Sequence, residues 1–158
     1  MKTHVIGDGV AAMMLASMAD RIPQHEISIL HPEGAPMARD HMLGFWNTEG
    51  LEFAVDCSRA SWSKWSIVTN NKTSVMHSEK HAYHIMHKAD FVQNARNKAE
   101  EHGVTFVDQK ASRTNNEALT FDSRPPRASP NAMLQHFVGQ EIEVDKAVFD
   151  ASTAILMD

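Results

Sequence analysis

Apolar positions come in short runs separated by turn residues, and the spacing of the runs changes along the chain. His4-Val5-Ile6 is a brief β-branched run, broken at once by Gly7-Asp8-Gly9. Val10 to Ala19 then follows without a breaker, so strand, tight turn and helix are predicted in that order. Arg21-Ile22-Pro23 closes the helix, and Glu26 to Leu30 reads as a second strand, stopped by His31-Pro32-Glu33-Gly34. From Ala35 to Lys88 the helical period is lost. Alternating stretches such as Trp65-Ser66-Ile67-Val68-Thr69 and Thr73-Ser74-Val75-Met76, with turns at Asn70-Asn71 and near Glu49-Gly50, predict a β-rich insertion. Phe91, Val92, Ala95 and Ala99 are spaced for an amphipathic helix over 89–101, closed by Gly103. Val104 to Val107 is a third buried strand, Asn115-Asn116 a turn, and Ala118 to Phe121 a strand leading into Asp122-Ser123-Arg124 before Pro125 and Pro126. Met133 to Val144 reads as extended, and Ala154 to Met157 as a last apolar strand.

Composition narrows the class. At 158 residues, 42% of them hydrophobic, the chain can bury a core of its own. Fifteen Lys and Arg stand against 20 Asp and Glu, a formal charge of −5, which argues against nucleic acid as a partner. Cys57 is the single cysteine, so no internal disulfide forms and a cytoplasmic setting is expected. No apolar run approaches the roughly eighteen residues of a transmembrane helix. Gly7, Asp8 and Gly9 interrupt what would otherwise be the apolar region of a secretion signal.

The first turn carries the clearest chemistry. Gly7, Gly9 and Ala12 form a Gly-x-Gly-x-x-Ala pattern between a strand and a helix, the fingerprint of a dinucleotide-binding β-α-β unit. Gly7 permits the turn, Gly9 lets backbone approach a pyrophosphate at the helix N-terminus, and Ala12 lets helix and strand lie close. The acid expected at the tip of the second strand is replaced by His31. Glu33 could hold the ribose instead, or be a solvated loop charge. The fold class is therefore α/β: a Rossmann-like FAD/NAD(P)-binding domain over 1–35, 89–125 and 147–158, with a β-rich substrate-domain part over 36–88 and 126–146.

Other groups are more ambiguous. His77, His81, His84 and His87 would share one face of a helix and could then bind metal, but the segment reads as strand or loop, which separates them; no metal site is assigned. Cys57 alone is no catalytic signature. Phe45-Trp46 and Trp62-Ser63-Lys64-Trp65 could line an elongated apolar cavity or simply pack a core. Asp122 and Arg124, at a strand tip, could hold a ligand's polar ends or cap a turn.

Taken in order, these residues resemble bacterial lycopene β-cyclases. The glycine turn and Asp40-His41-Met42-Leu43-Gly44-Phe45-Trp46 are similar to the start of that family, although Met42-Leu43 stand where the family has Thr-Trp. Trp65, Tyr83 and Phe91 fall where the family has its Trp, its Tyr and the Phe that opens a helix. Phe121-Asp122-Ser123-Arg124 resembles its Asp-(Ala/Ser)-Arg turn, and Leu134-Gln135-His136-Phe137-Val138-Gly139 its Gln-x-Phe-x-Gly motif. Phe149-Asp150 and Leu156-Met157-Asp158 resemble the segment that ends in Leu-Met-Asp.

The resemblance implies a flavoenzyme that closes linear lycopene ends into β-ionone-type rings by proton-initiated, non-redox cyclisation. It implies reduced FAD, with NAD(P)H as reductant, at Gly7, Gly9, Ala12, Glu33, Asp122, Arg124 and Asp158, and a carotenoid near Phe45, Trp46 and Trp65. The family's acidic motif is expected beyond Asp158, so no catalytic residue is assigned here, and the chain is expected to be an N-terminal part, inactive alone. A membrane-dissolved substrate implies peripheral contact with the inner face of the cell membrane, without a spanning helix. The alternatives are another FAD-dependent oxidoreductase, hydroxylase-like, or a nucleotide-binding remnant without catalysis. The halogenase motif Trp-x-Trp-x-Ile-Pro is not matched at Trp62 to Trp65.

Overall fold

In a computed structural model of the chain, residues 1–32, 40–109, 118–125, 129, 133, 140, 142–148 and 150–157 are described. The first unit forms as its pattern predicts. Strand β1 (Lys2–Ile6) leads through Gly7-Asp8-Gly9 into helix α1 (Val10–Ser17), and a 3-10 turn at Ala19–Arg21 leads to β2 (Glu26–Pro32). β3 (Met42–Trp46), a short helix α2 (Glu52–Asp56), β4 (Ala60–Trp62), β5 (Lys64–Thr69), β6 (Lys72–His77) and β7 (Tyr83–His87) make up the β-rich insertion. Helix α3 (Lys88–Glu101) ends on Gly103, whose φ of 78° turns the chain into β8 (Thr105–Gln109). β9 (Leu119–Asp122) and β10 (Ala154–Met157) complete the described elements.

β8, β2, β1 and β9 form one parallel sheet in that order. In order of appearance this is third, second, first, fourth: the arrangement of half a dinucleotide-binding sheet, with its switch point between β1 and β9. α1 and α3 pack together through small residues. Ala12, Ala16, Ala19 and Ala99 share a buried cluster with Val5, Ile27, Ile29 and Val104. A second cluster, of Met13, Phe91 and Ala95 with Ala54 and Met86, joins these helices to the β-rich part. Phe91 is its anchor, 1% exposed.

The β-rich part holds two three-stranded sheets. β7 lies antiparallel between β3 and β4, while β5 pairs with β6 across the Asn70-Asn71 turn. β10 pairs in parallel with β5. The expectation that residues 147–158 belong with the dinucleotide sheet is thereby corrected for their described strand. A four-residue apolar run predicts a strand without naming its partner. In the stretch expected to be extended, Met133, Gln140 and residues 142–144 carry no strand, and the rest of it lies outside the described residues, as do Gly34, Asn115, Asn116 and Pro126.

Candidate functional site

The glycine turn is the densest point of the site. Gly7 has φ 98°, and its N–H donates to the Leu30 carbonyl at 2.9 Å. A Cβ added at Gly7 would lie 2.8 Å from the Ser123 Oγ, so the position needs glycine for two separate reasons. Ser123 is locked alongside: its N–H and Oγ donate to the Ile6 carbonyl at 3.0 and 2.9 Å. The turns that follow β1 and β9 therefore meet at the switch point of the sheet, where ligands of such folds bind.

Gly9 serves differently. Its φ of −70° suits any residue, and an added Cβ would meet nothing within 4 Å. The space in front of α1 is open. No side chain caps that helix and no acid lies in its first turn, so its leading N–H groups face outward with their dipole uncompensated. Ala12, 2% exposed, packs α1 against the sheet. These features fit a pyrophosphate, which needs backbone donors and open space.

Two side-chain pairs flank the turn. Asp122 and Arg124 pair at 2.6 Å through Arg124 Nη2, and Arg124 Nε and the Arg124 N–H also donate to Asp122. The Arg124 guanidinium, together with that backbone N–H, holds the Asp122 carboxyl down to about 2. On the other side, His31 Nδ1 lies 2.9 Å from Asp8 Oδ2. Glu33 and Asp158, also expected at the cofactor, lie outside the described residues.

The aromatic residues divide between the faces of their strands. Trp46 meets Trp65 edge-on at 6.2 Å and Tyr83 at 5.1 Å, and Tyr83 lies 6.4 Å from Trp62. Tyr83 is the hub of this cluster. Gly44 makes its position possible, because a Cβ there would run into the Tyr83 hydroxyl. Phe45 points the other way, stacked on His84 at 5.4 Å and packed against the second core cluster. A cavity of about 820 Å³ opens between the two small sheets, walled by Trp62, Tyr83, Ile85, Val68, Val75 and Ile155. Phe45, Trp46 and Trp65 lie outside its wall. Strand alternation explains this: Lys64, Ser66 and Val68 face the cavity, and Trp65, between Lys64 and Ser66, faces away. Trp62 belongs to the wall, and its Nε1 donates to the Ala151 carbonyl at 3.0 Å. Sequence spacing could not tell which of two neighbouring aromatics takes which face.

His77, His81, His84 and His87 are dispersed among separate partners. His77 meets Glu79, His81 Nδ1 lies 2.9 Å from the Asn47 carbonyl, and His87 Nδ1 lies 3.2 Å from Asp40 Oδ2. His84 is buried beside Ser58, and burial pushes its pKa down. Among the described residues no three His, Cys, Asp or Glu side chains gather as a metal would require. Burial also pushes the Cys57 thiol up, away from the reactive thiolate form. No helix among the described residues is long and apolar enough to cross a membrane.

Comparison with known proteins agrees with this geometry. Among solved structures, 2-methyl-3-hydroxypyridine-5-carboxylic acid oxygenase is similar over 68% of this chain and 31% of its own, at 17% identity and a TM-score of 0.53. Xcc4156, a flavin-dependent halogenase from Xanthomonas campestris, is similar over 73% of this chain and 37% of its own, at 10% identity and a TM-score of 0.55. At these identities the likeness is one of fold: the chain shares the Rossmann-like architecture of such oxygenases and halogenases, and spans about a third of their length. A search of curated proteins found no match. The model of one protein family, described as lycopene cyclase protein, matches residues 3–158. The chain belongs to the lycopene cyclase family.

Proposed function

We propose that this chain is the nucleotide-binding part of a flavin-dependent lycopene cyclase, and that it holds FAD at the turn between β1 and α1. The observation that carries the reading is the meeting of Gly7 with Ser123 beside the uncapped start of α1. In this reading Gly9 and the first N–H groups of α1 hold the pyrophosphate, and Ala12 lets the helix stand close enough to present them. Asp122 and Arg124 line the same edge, with Glu33 and Asp158 as further contacts. Reduced FAD, renewed from NAD(P)H, would supply negative charge beside a developing carbocation. The chain's own contribution is the apolar site. Trp62 and Tyr83 present aromatic faces to a cation, and Val68 and Ile85 add apolar wall beside them. Trp46 and Trp65 extend this aromatic cluster through Tyr83. A linear polyene such as lycopene suits the apolar side chains of this wall, and drawing it from a bilayer calls for peripheral membrane contact.

The initiating proton comes from elsewhere. Asp150 is the one carboxylate among the described residues of the cavity wall, and hydrogen bonds from Ser152 push its pKa down. Its ionised form is favoured, which suits it poorly to the role of the acid. These residues therefore bind and shelter the substrate without cyclising it. Titration of FAD into the purified chain, followed by flavin fluorescence, tests the reading: saturable quenching is expected, and an unchanged signal overturns it. Carotenoid analysis of lycopene-producing cells that express the chain tests the second part; no ring-bearing product is expected, and any such product overturns the assignment of Asp150.

A further inference from the structure

His31 stands at the tip of β2, next to its last residue, where a dinucleotide-binding strand usually presents an acid to the ribose. His31 does not stand alone. Its Nδ1 lies 2.9 Å from Asp8 Oδ2, and Asp8 is the middle residue of the glycine turn. Both side chains are about two-fifths exposed, so the pair faces accessible space. That space is a cleft of about 280 Å³ at the C-terminal ends of β2 and β8, lined also by Arg96, Phe106 and Asp108. Asp108 is the β8 partner of His31 in the sheet register. Arg96 lies 4.2 Å above the Phe106 ring and its Nε donates to Glu100, which fixes that wall of the cleft.

We propose that the acceptor for the adenosine ribose has moved from the strand tip to the turn: Asp8 takes the ribose hydroxyls, and His31 is the positioning residue that orients its carboxylate. The inference rests on the proposed binding of FAD. A carboxylate with one oxygen engaged by an imidazole N–H keeps lone pairs for two hydroxyl donors. A neutral imidazole offers one acceptor at most, so His31 by itself cannot replace the missing acid.

Competition against bound FAD tests this with ADP and 2′-deoxy-ADP, read as release of flavin fluorescence. ADP is expected to displace FAD at roughly tenfold lower concentration than 2′-deoxy-ADP, the worth of one hydrogen bond to a charged acceptor. Asp8→Asn should bring the two nucleotides within about twofold of each other at an unchanged melting temperature. His31→Ala should shrink the preference, and His31→Asn, whose amide nitrogen replaces Nδ1, should restore it. A merely structural role would alter stability and leave the ratio alone. Equal displacement by both nucleotides in the unmodified chain, or a ratio untouched by Asp8→Asn, overturns the proposal while FAD binding stands. If neither FAD nor ADP binds, the proposed function fails and this inference with it.

Discussion

Gly7 and Gly44 are both needed as glycine, for different reasons. At Gly7 the backbone is left-handed and a methyl group would press on Ser123, so Gly7→Ala is expected to destabilise the fold by about 1–3 kcal/mol in urea unfolding. Unchanged stability would show that the β1 and β9 turns are not in contact. At Gly44 the backbone is ordinary, yet a Cβ would displace the Tyr83 ring from Trp46 and Trp62. Gly44→Ala should therefore shift tryptophan emission while secondary structure persists; an identical spectrum would contradict the packing. Gly7 was legible in the sequence because a strand-turn-helix pattern is local. Gly44 was not, because its neighbour lies across a strand pair 39 positions away in the chain. His31 was legible as a departure from the expected acid, but nothing in its spacing pointed to Asp8.

At the scale of elements, the α1–α3 contact depends on alanines. Ala16 and Ala99 are fully buried, and Ala16→Leu or Ala99→Leu is expected to cost about 1–3 kcal/mol by overpacking. β7 alternates strictly, with His84 and Met86 buried and Tyr83, Ile85 and His87 half-buried. This alternation separates His84 from His87, and it was foreseeable once the segment was read as strand. Because burial lowers the His84 pKa, the folded state favours the neutral ring. Stability from this group is intact above the unfolded value near 6.5 and is lost as pH falls through the lower folded value. Melting temperatures of wild type and His84→Phe should converge between pH 7 and pH 5; parallel curves would rule His84 out as the sensitive group. The helix over 88–101 and the hairpin at Asn70-Asn71 were legible from periodicity and turn chemistry. The partner of β10 was not, since pairing across the molecule leaves no trace in a four-residue run.

Across the whole molecule, the second core cluster makes one body of the dinucleotide-binding and β-rich parts. Phe91 of α3 contacts Phe53 at 5.7 Å and shares its cluster with Met13, Ala54 and Met86. Phe91→Ala is expected to cost about 3–5 kcal/mol and to lower a single unfolding transition; two separate transitions would show that the parts fold independently. A β-α-β first unit and a β-rich insertion were legible because their hydrophobic periods differ. The meeting of Asp122-Ser123-Arg124 with the glycine turn was not, because 115 positions separate Asp8 from Ser123 and only strand order brings them together.

The site's central feature is open space in front of α1, and Gly9→Val tests it directly. The backbone at Gly9 accepts a side chain and no protein atom stands in its way, so the variant should fold and melt as the parent does. The valine would occupy the volume assigned to the pyrophosphate. FAD titration of the two proteins side by side should then show saturable quenching in the parent and none in the variant. Equal FAD binding by a normally folded Gly9→Val would contradict the assignment of the cofactor to this turn.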